Sequence, residues 1–147
     1  MIKETVTYTD FNGVERTEDF YFNFTEAELA EMQLEIEGGL EDAIRQIVNS
    51  KDTPKIIDIF KNKIFLKAYG QKSPDGRRMI KTKEVVEEFT QTNAYSQLFM
   101  KYATSESALS DFINNVVPSS LKERVAEINN TTTNVVSLPA NATDNNS

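Results

Sequence analysis

Arg77, Arg78, Lys81 and Lys83 crowd the residues just after a Ser73-Pro74-Asp75-Gly76 turn, and Lys63 and Lys67 come shortly before it. Cationic side chains at this density can hold carboxylates or phosphates, and a glycine beside them raises the question of a phosphate cradle. The multi-glycine spacing of a P-loop or dinucleotide motif is missing, so the stretch reads as a basic surface rather than a nucleotide site. Other chemistry is scarcer. The chain has no cysteine and no histidine, which removes disulfides, thiol nucleophiles, Cys-ligated zinc and the commonest general base near neutral pH. Carboxylate, Lys, Tyr or Ser/Thr chemistry and oxygen-only metal sites survive, and none of their usual spacings is present. Glu26, Glu28, Glu31, Glu35, Glu37, Glu41 and Asp42 lack the spacing of a calcium loop and read as a solvated face. Tyr95 and Tyr102 recur at helical spacing beside Leu98, so with Tyr69 they suit a core better than a base-stacking platform. Neither catalysis nor a cofactor is expected.

The elements that position these residues must come from 147 residues, enough for one domain with one core. An apolar fraction of 39% with nine Phe supplies that core. No apolar run reaches the roughly 18 residues a bilayer requires, and MIKETVTY lacks the apolar stretch of a signal peptide. A soluble, cytoplasmic protein is expected. The net charge of −7 is unevenly spread. Residues 1–50 carry −9, from twelve acids and three bases, whereas residues 51–104 carry +5, from eleven bases and six acids. Either the two regions complement each other within one fold, or the basic middle meets an acidic partner.

Ile2–Thr9 is rich in β-branched residues and Val14–Phe24 alternates at its end, which predicts a hairpin across Asp10-Phe11-Asn12-Gly13. A two-residue Asn12-Gly13 turn would pair Val6 with Asp19 and mix the faces. A three-residue loop Asn12–Val14 pairs Val6 with Phe20 and Tyr8 with Glu18, and it gathers Ile2, Val6, Tyr8, Phe20, Phe22 and Phe24 on one face. A capping box, Thr25 with Glu28, and a staple, Phe24 with Leu29, then open a helix that Gly38-Gly39 ends. A second helix runs from Leu40 to about Asn49. Asp52-Thr53-Pro54 opens the longest helix, read to about Tyr69 and stopped by Gly70. Ile56, Ile57, Phe60, Ile64 and Ala68 form one stripe, while Ile59, Phe65, Leu66 and Tyr69 fall outside it. Either this helix is central in the monomer or its second apolar side meets another chain.

Arg77–Lys81 is read as extended. Thr82, Thr92 and Ser105 each precede a short helix, and Pro118 closes the third. A second capping box, Ser120 with Glu123, starts a closing helix with Leu121, Val125 and Ile128. From Asn129 the composition collapses to Asn, Thr, Ser and Ala, which predicts a disordered, dispensable polar tail. Its N-x-[ST] matches, without a secretion signal, are fortuitous. The expected class is therefore α+β, mainly an α-helical bundle with an N-terminal β-hairpin. Its domain spans 1–128, with the hairpin over 1–24, the helices over 25–128 and the tail over 129–147.

From Ile2 to Pro118 the order of features resembles the tail assembly chaperones of long-tailed, siphovirus-type bacteriophages. The features are the YTDFNG hairpin, the capped acidic helix ending Glu-Gly-Gly, KAYG followed by KS and DGRR, QT-AYS-LFM, and FINNVVP. The resemblance implies a non-catalytic protein of the host bacterial cytoplasm, encoded just upstream of the tape-measure protein. It would bind that protein's long amphipathic helices and recruit tail-tube subunits, with self-association possible and neither nucleic acid nor membrane as partner. A helix-in-groove mode would use Ile59, Phe65 and Leu66 as apolar anchors and Lys63, Lys67, Arg77, Arg78 and Lys81 as the charged rim. Two other readings compete. One is a small structural protein of the virion, such as a head-tail connector or tail completion protein. The other is an acidic inhibitor of a host nucleic-acid-binding enzyme, favoured by a pI near 4.7 and disfavoured by the basic middle.

Overall fold

The computed structural model describes residues 1–49 and 51–117. Met1–Val116 forms one compact unit, and a second begins at Val117. The helix end at Pro118, the second capping box, the closing helix and the polar tail all lie outside the described residues.

Strands β1 (Ile2–Thr9) and β2 (Glu15–Phe22) form the hairpin. Its loop has three residues, but they are Phe11, Asn12 and Gly13, closed by Asp10 N–H donating to the Val14 carbonyl at 2.8 Å. The expected loop was one residue later. The reason is the left-handed position that ends such a loop: Gly13 occupies it at φ +80°, where the β-branched Val14 would be strained. The Asp10 carboxylate completes the turn by accepting from the backbone N–H groups of Asn12 and Val14, each at 2.9 Å. Val6 therefore lies opposite Glu18 and Tyr8 opposite Arg16, which corrects the pairing of Val6 with Phe20 and Tyr8 with Glu18 by two residues. A shift of two preserves the faces. Val6, Tyr8, Phe20 and Phe22 are buried as expected, while Thr5 with Asp19 (2.6 Å) and Thr7 with Thr17 (2.9 Å) bond on the exposed side.

Both halves of the Thr25/Glu28 capping box form and open α1 (Glu26–Glu35), with Phe24 and Leu29 buried beside it. α2 (Gly39–Asn49) follows, its Leu40 N–H donating to the Gln33 side chain at 2.8 Å. α3 is one continuous helix in three parts: α-helical Thr53–Ile59, π-helical Phe60–Phe65 and a last turn Leu66–Ala68. Asp52 caps it and Pro54 stands in its first turn. The helix stops one residue short of the expected Tyr69, because Tyr69 opens a strand, β3 (Tyr69–Lys72), that pairs with Phe22. β4 (Met79–Ile80) pairs with β3 in turn. Among the described residues the hairpin is thus half of a four-stranded antiparallel sheet in the order β1-β2-β3-β4, packed with six helices. The class is α+β, but the sheet is a full layer and not an appendage on a helical bundle. Gly70 belongs to the close pairing: a Cβ there would fall 2.5 Å from Met79 Cγ.

Thr82, Thr92 and Ser105 cap α4 (Lys83–Thr90), α5 (Asn93–Ala103) and α6 (Glu106–Val116), each side-chain oxygen accepting from the N–H three residues on. α5 runs beside β1 in the opposite direction. Asn93 donates to the Thr9 carbonyl at 2.9 Å, and eight residues later Lys101 reaches Glu4 at 3.1 Å.

The core is aromatic. Phe22 from the sheet stacks on Phe65 at 5.0 Å and meets Phe112 of α6 edge-on at 5.4 Å. Phe65 also stacks on Phe60 at 5.4 Å and meets Tyr102 at 5.7 Å. Residues five apart on an α-helix point about 140° from each other. The π-helical stretch, in which Leu66 N–H reaches back to the Lys61 carbonyl, winds more slowly and brings Phe60 and Phe65 together. This explains the over-wide apolar face of the helix: part of its width is a change of period.

Burial, and then the hydrogen bond to Glu4, push the Tyr102 phenol well above its ordinary pKa; burial also raises Tyr69 and Tyr95. A raised folded-state pKa contributes stability that is complete below the unfolded value of about 10 and is lost as pH climbs above it. The protein is expected to hold its circular dichroism to about pH 9 and to unfold above about pH 10. The phenols of Tyr69, Tyr95 and Tyr102 should ionise together with the loss of helix; their ionisation in the folded protein would contradict these burials.

Candidate partner-binding surface

The end of α3, the link from β4 to α4, and α4 itself converge on a cleft of about 380 Å³. Leu66 and Val86, both half-buried, form its apolar floor; Lys67, Lys83 and Glu87 stand exposed at the rim, and Lys81 and Glu28 close one wall. Lys83 and Glu87 lie 4.0 Å apart one turn along α4, a spacing that neutralises little in solvent.

Lys81 is placed by three acceptors. Its ammonium donates to the Asn23 carbonyl at 2.6 Å, the Lys67 carbonyl at 2.9 Å and Glu28 Oε2 at 2.9 Å, with the Phe24 ring 5.2 Å away. Glu28 serves two elements at once, since its other oxygen accepts from Thr25 N–H in the capping box at 2.9 Å. One lysine thereby ties the exit of β2, the start of α1 and the last turn of α3, and the cleft inherits that rigidity. The capping box was legible as local chemistry. Its link to a lysine 53 residues away carries no local signal.

Leu66, Lys67 and Lys81, three of the residues expected to meet a partner, come together in this cleft. Ile59, half-buried, and Lys63, exposed, lie earlier on α3. Phe65 does not belong with them: it is fully buried at the centre of the core and offers no surface to a partner. Arg77 and Arg78 are exposed on the separate β3–β4 turn. There Ser73 accepts from Arg78 N–H at 3.0 Å and Asp75 from Arg77 N–H at 3.1 Å. Lys83, part of the basic cluster but not of the expected partner-binding set, also lines the cleft, together with Val86 and Glu87; the helical spacing of these three beside Lys81 was the available signal.

Among the described residues, no three acidic side chains gather as a metal site, and no helix is long and apolar enough to cross a membrane. The arrangement can hold an extended or helical segment by an apolar strip with cationic flanks.

An apolar strip with charged flanks on a small α+β domain is a surface suited to holding another protein. Residues 1–146 match the family model described as phage tail assembly chaperone, and the chain belongs to that family. No curated protein and no solved structure matches it.

Proposed function

We propose that this tail assembly chaperone, acting without catalysis in the host cytoplasm, binds the tape-measure protein of its phage and helps to bring tail-tube subunits to it. The observation that carries the reading is the cleft, where Leu66 and Val86 share one lining with Lys67, Lys81 and Lys83. An amphipathic helix with acidic flanks fits such a strip, its apolar residues supplying affinity and its charges the encounter rate. Arg77 and Arg78 extend the attracting field from the neighbouring turn.

Co-expression with tape-measure fragments tests the reading. The chaperone is expected to keep the fragments soluble and to be absent from purified virions. Lys67→Glu with Lys83→Glu, both at exposed positions, should slow association about tenfold and flatten its salt dependence without lowering the melting temperature. Arg77→Glu with Arg78→Glu should act in the same direction. Unchanged association in both variants would remove the cleft from the interface, and stoichiometric amounts in mature particles would favour the structural virion protein instead.

A further inference from the structure

The sheet ends on β1, and one side of that strand is bare. Asp10 N–H donating to the Val14 carbonyl sets the alternation of the hairpin, so that Ile2, Glu4, Val6 and Tyr8 turn their backbone groups toward β2 while Lys3, Thr5, Thr7 and Thr9 turn theirs outward. The Thr9 carbonyl agrees with this direction, since it accepts from the Asn93 side chain of α5. Among the described residues no strand pairs with the outward groups of Lys3, Thr5 and Thr7, and all three residues are exposed.

An open edge is normally guarded by charge, proline or a bulge, because its unpaired N–H and C=O groups are a template for another strand. β2 carries such guards, Glu15 and Asp19, where its outer edge runs clear of β3. The outward positions of β1 carry only Lys3, at one end, and are otherwise threonine. Asn93, Gln97 and Met100 stand at i, i+4 and i+7 on α5, and because Asn93 bonds the outward Thr9 carbonyl, their line follows the open side of β1. Gln97 is exposed, and Met100 is 52% exposed. Lys101 and Glu4 beside them already neutralise each other at 3.1 Å.

We propose that the outer edge of β1 binds an extended, uncharged segment of a partner protein as a fifth strand, antiparallel like the rest of the sheet. Its apolar residues would face Met100, and its small polar residues would lie on the open face beside Thr5 and Thr7. Asn93, which occupies the Thr9 carbonyl, ends the pairing there. In an antiparallel pair the residues that exchange backbone bonds share a face, so the small polar residues bond to Lys3, Thr5 and Thr7 and the apolar ones do not. A second copy fits less well: its own α5 flanks the same edge, and two β1 strands meeting would set the two helices against each other.

A labelled, end-capped peptide of alternating valine and threonine tests this against the full-length protein, by fluorescence anisotropy and by amide exchange. It should bind with a dissociation constant below about 1 mM and slow exchange at Lys3, Thr5 and Thr7, but not at Thr17 on the guarded edge. N-methylation of the peptide's threonine amides should weaken binding roughly thirtyfold or more, whereas methylation of its valine amides should change it less than about threefold. Thr5→Pro removes one outward N–H and no backbone bond to β2, a place where edge strands accept proline, and it should abolish binding with little change in melting temperature. Met100→Glu, at an exposed position, should weaken binding about tenfold. The methylated pair uses the wild type and stays decisive even if the proline disturbs the hairpin. No binding by the wild type, equal loss from the two methylated peptides, or binding that survives Thr5→Pro in a folded variant would overturn the proposal. A wild-type dimer that Thr5→Pro dissolves, with no peptide bound, would assign the edge to a second copy instead.

Discussion

Phe65→Ala is expected to remove about 3–5 kcal/mol of folding stability, a large part of the roughly 5–15 kcal/mol that a domain of this kind possesses. The side chain is fully buried and touches rings from the sheet, from α3 itself, from α5 and from α6. Truncation would leave a void that none of these elements can close without disturbing the others, since each ring is also packed on another. The measurement is the urea midpoint, which should fall steeply while the dependence on denaturant is unchanged. Ile59→Ala, at a half-buried position on the same helix, should cost clearly less. Equal effects at the two positions would contradict the placement of Phe65 at the centre.

Lys81→Met is expected to cost about 3 kcal/mol, although it preserves length and apolar stem. It would leave the carbonyls of Asn23 and Lys67 without their donor and Glu28 without its counter-charge, at a side chain only 17% exposed. The comparison is Lys101→Met, which removes an ion pair to Glu4 from a lysine 50% exposed and should cost under about 1 kcal/mol. Lys81→Arg should not restore stability, because a planar guanidinium cannot direct its donors at three acceptors arranged around an ammonium. Thermal melts of the three variants decide the matter. A Lys81→Met protein with wild-type stability and weakened partner binding would show that the lysine serves the interface and not the fold.

Much of this architecture can be read locally. The caps at Thr25, Asp52, Thr82, Thr92 and Ser105 act within three residues of themselves, so their signals survive without knowledge of the fold. β3 left no such trace. Its four residues are too few to show a period, and its partner Phe22 lies far back in the chain. The hairpin register was close because parity set the buried face, and it slipped because the glycine was placed at the middle of the loop, not at its end. Of the candidate surface, Leu66, Lys67 and Lys81 were legible from charge and apolar excess. Phe65 falls outside the main stripe only when a period of 3.6 is extended across a segment that does not obey it.

That segment also makes the length of α3 matter. A π-helical turn is wider than an α-helical one, so the six residues Phe60–Phe65 wind the chain about as far as five would at ordinary winding. Losing one residue there would let the helix tighten while Leu66 and Lys67 keep their side of the cleft and Tyr69 its place against Phe22, and the cost would fall on the stack of Phe60 and Phe65. A residue lost from the α-helical part before Phe60 has no such slack and would turn everything beyond it by about 100°. The helix thus carries one spare residue between interior and surface, and viable relatives should differ in length inside this segment sooner than ahead of it.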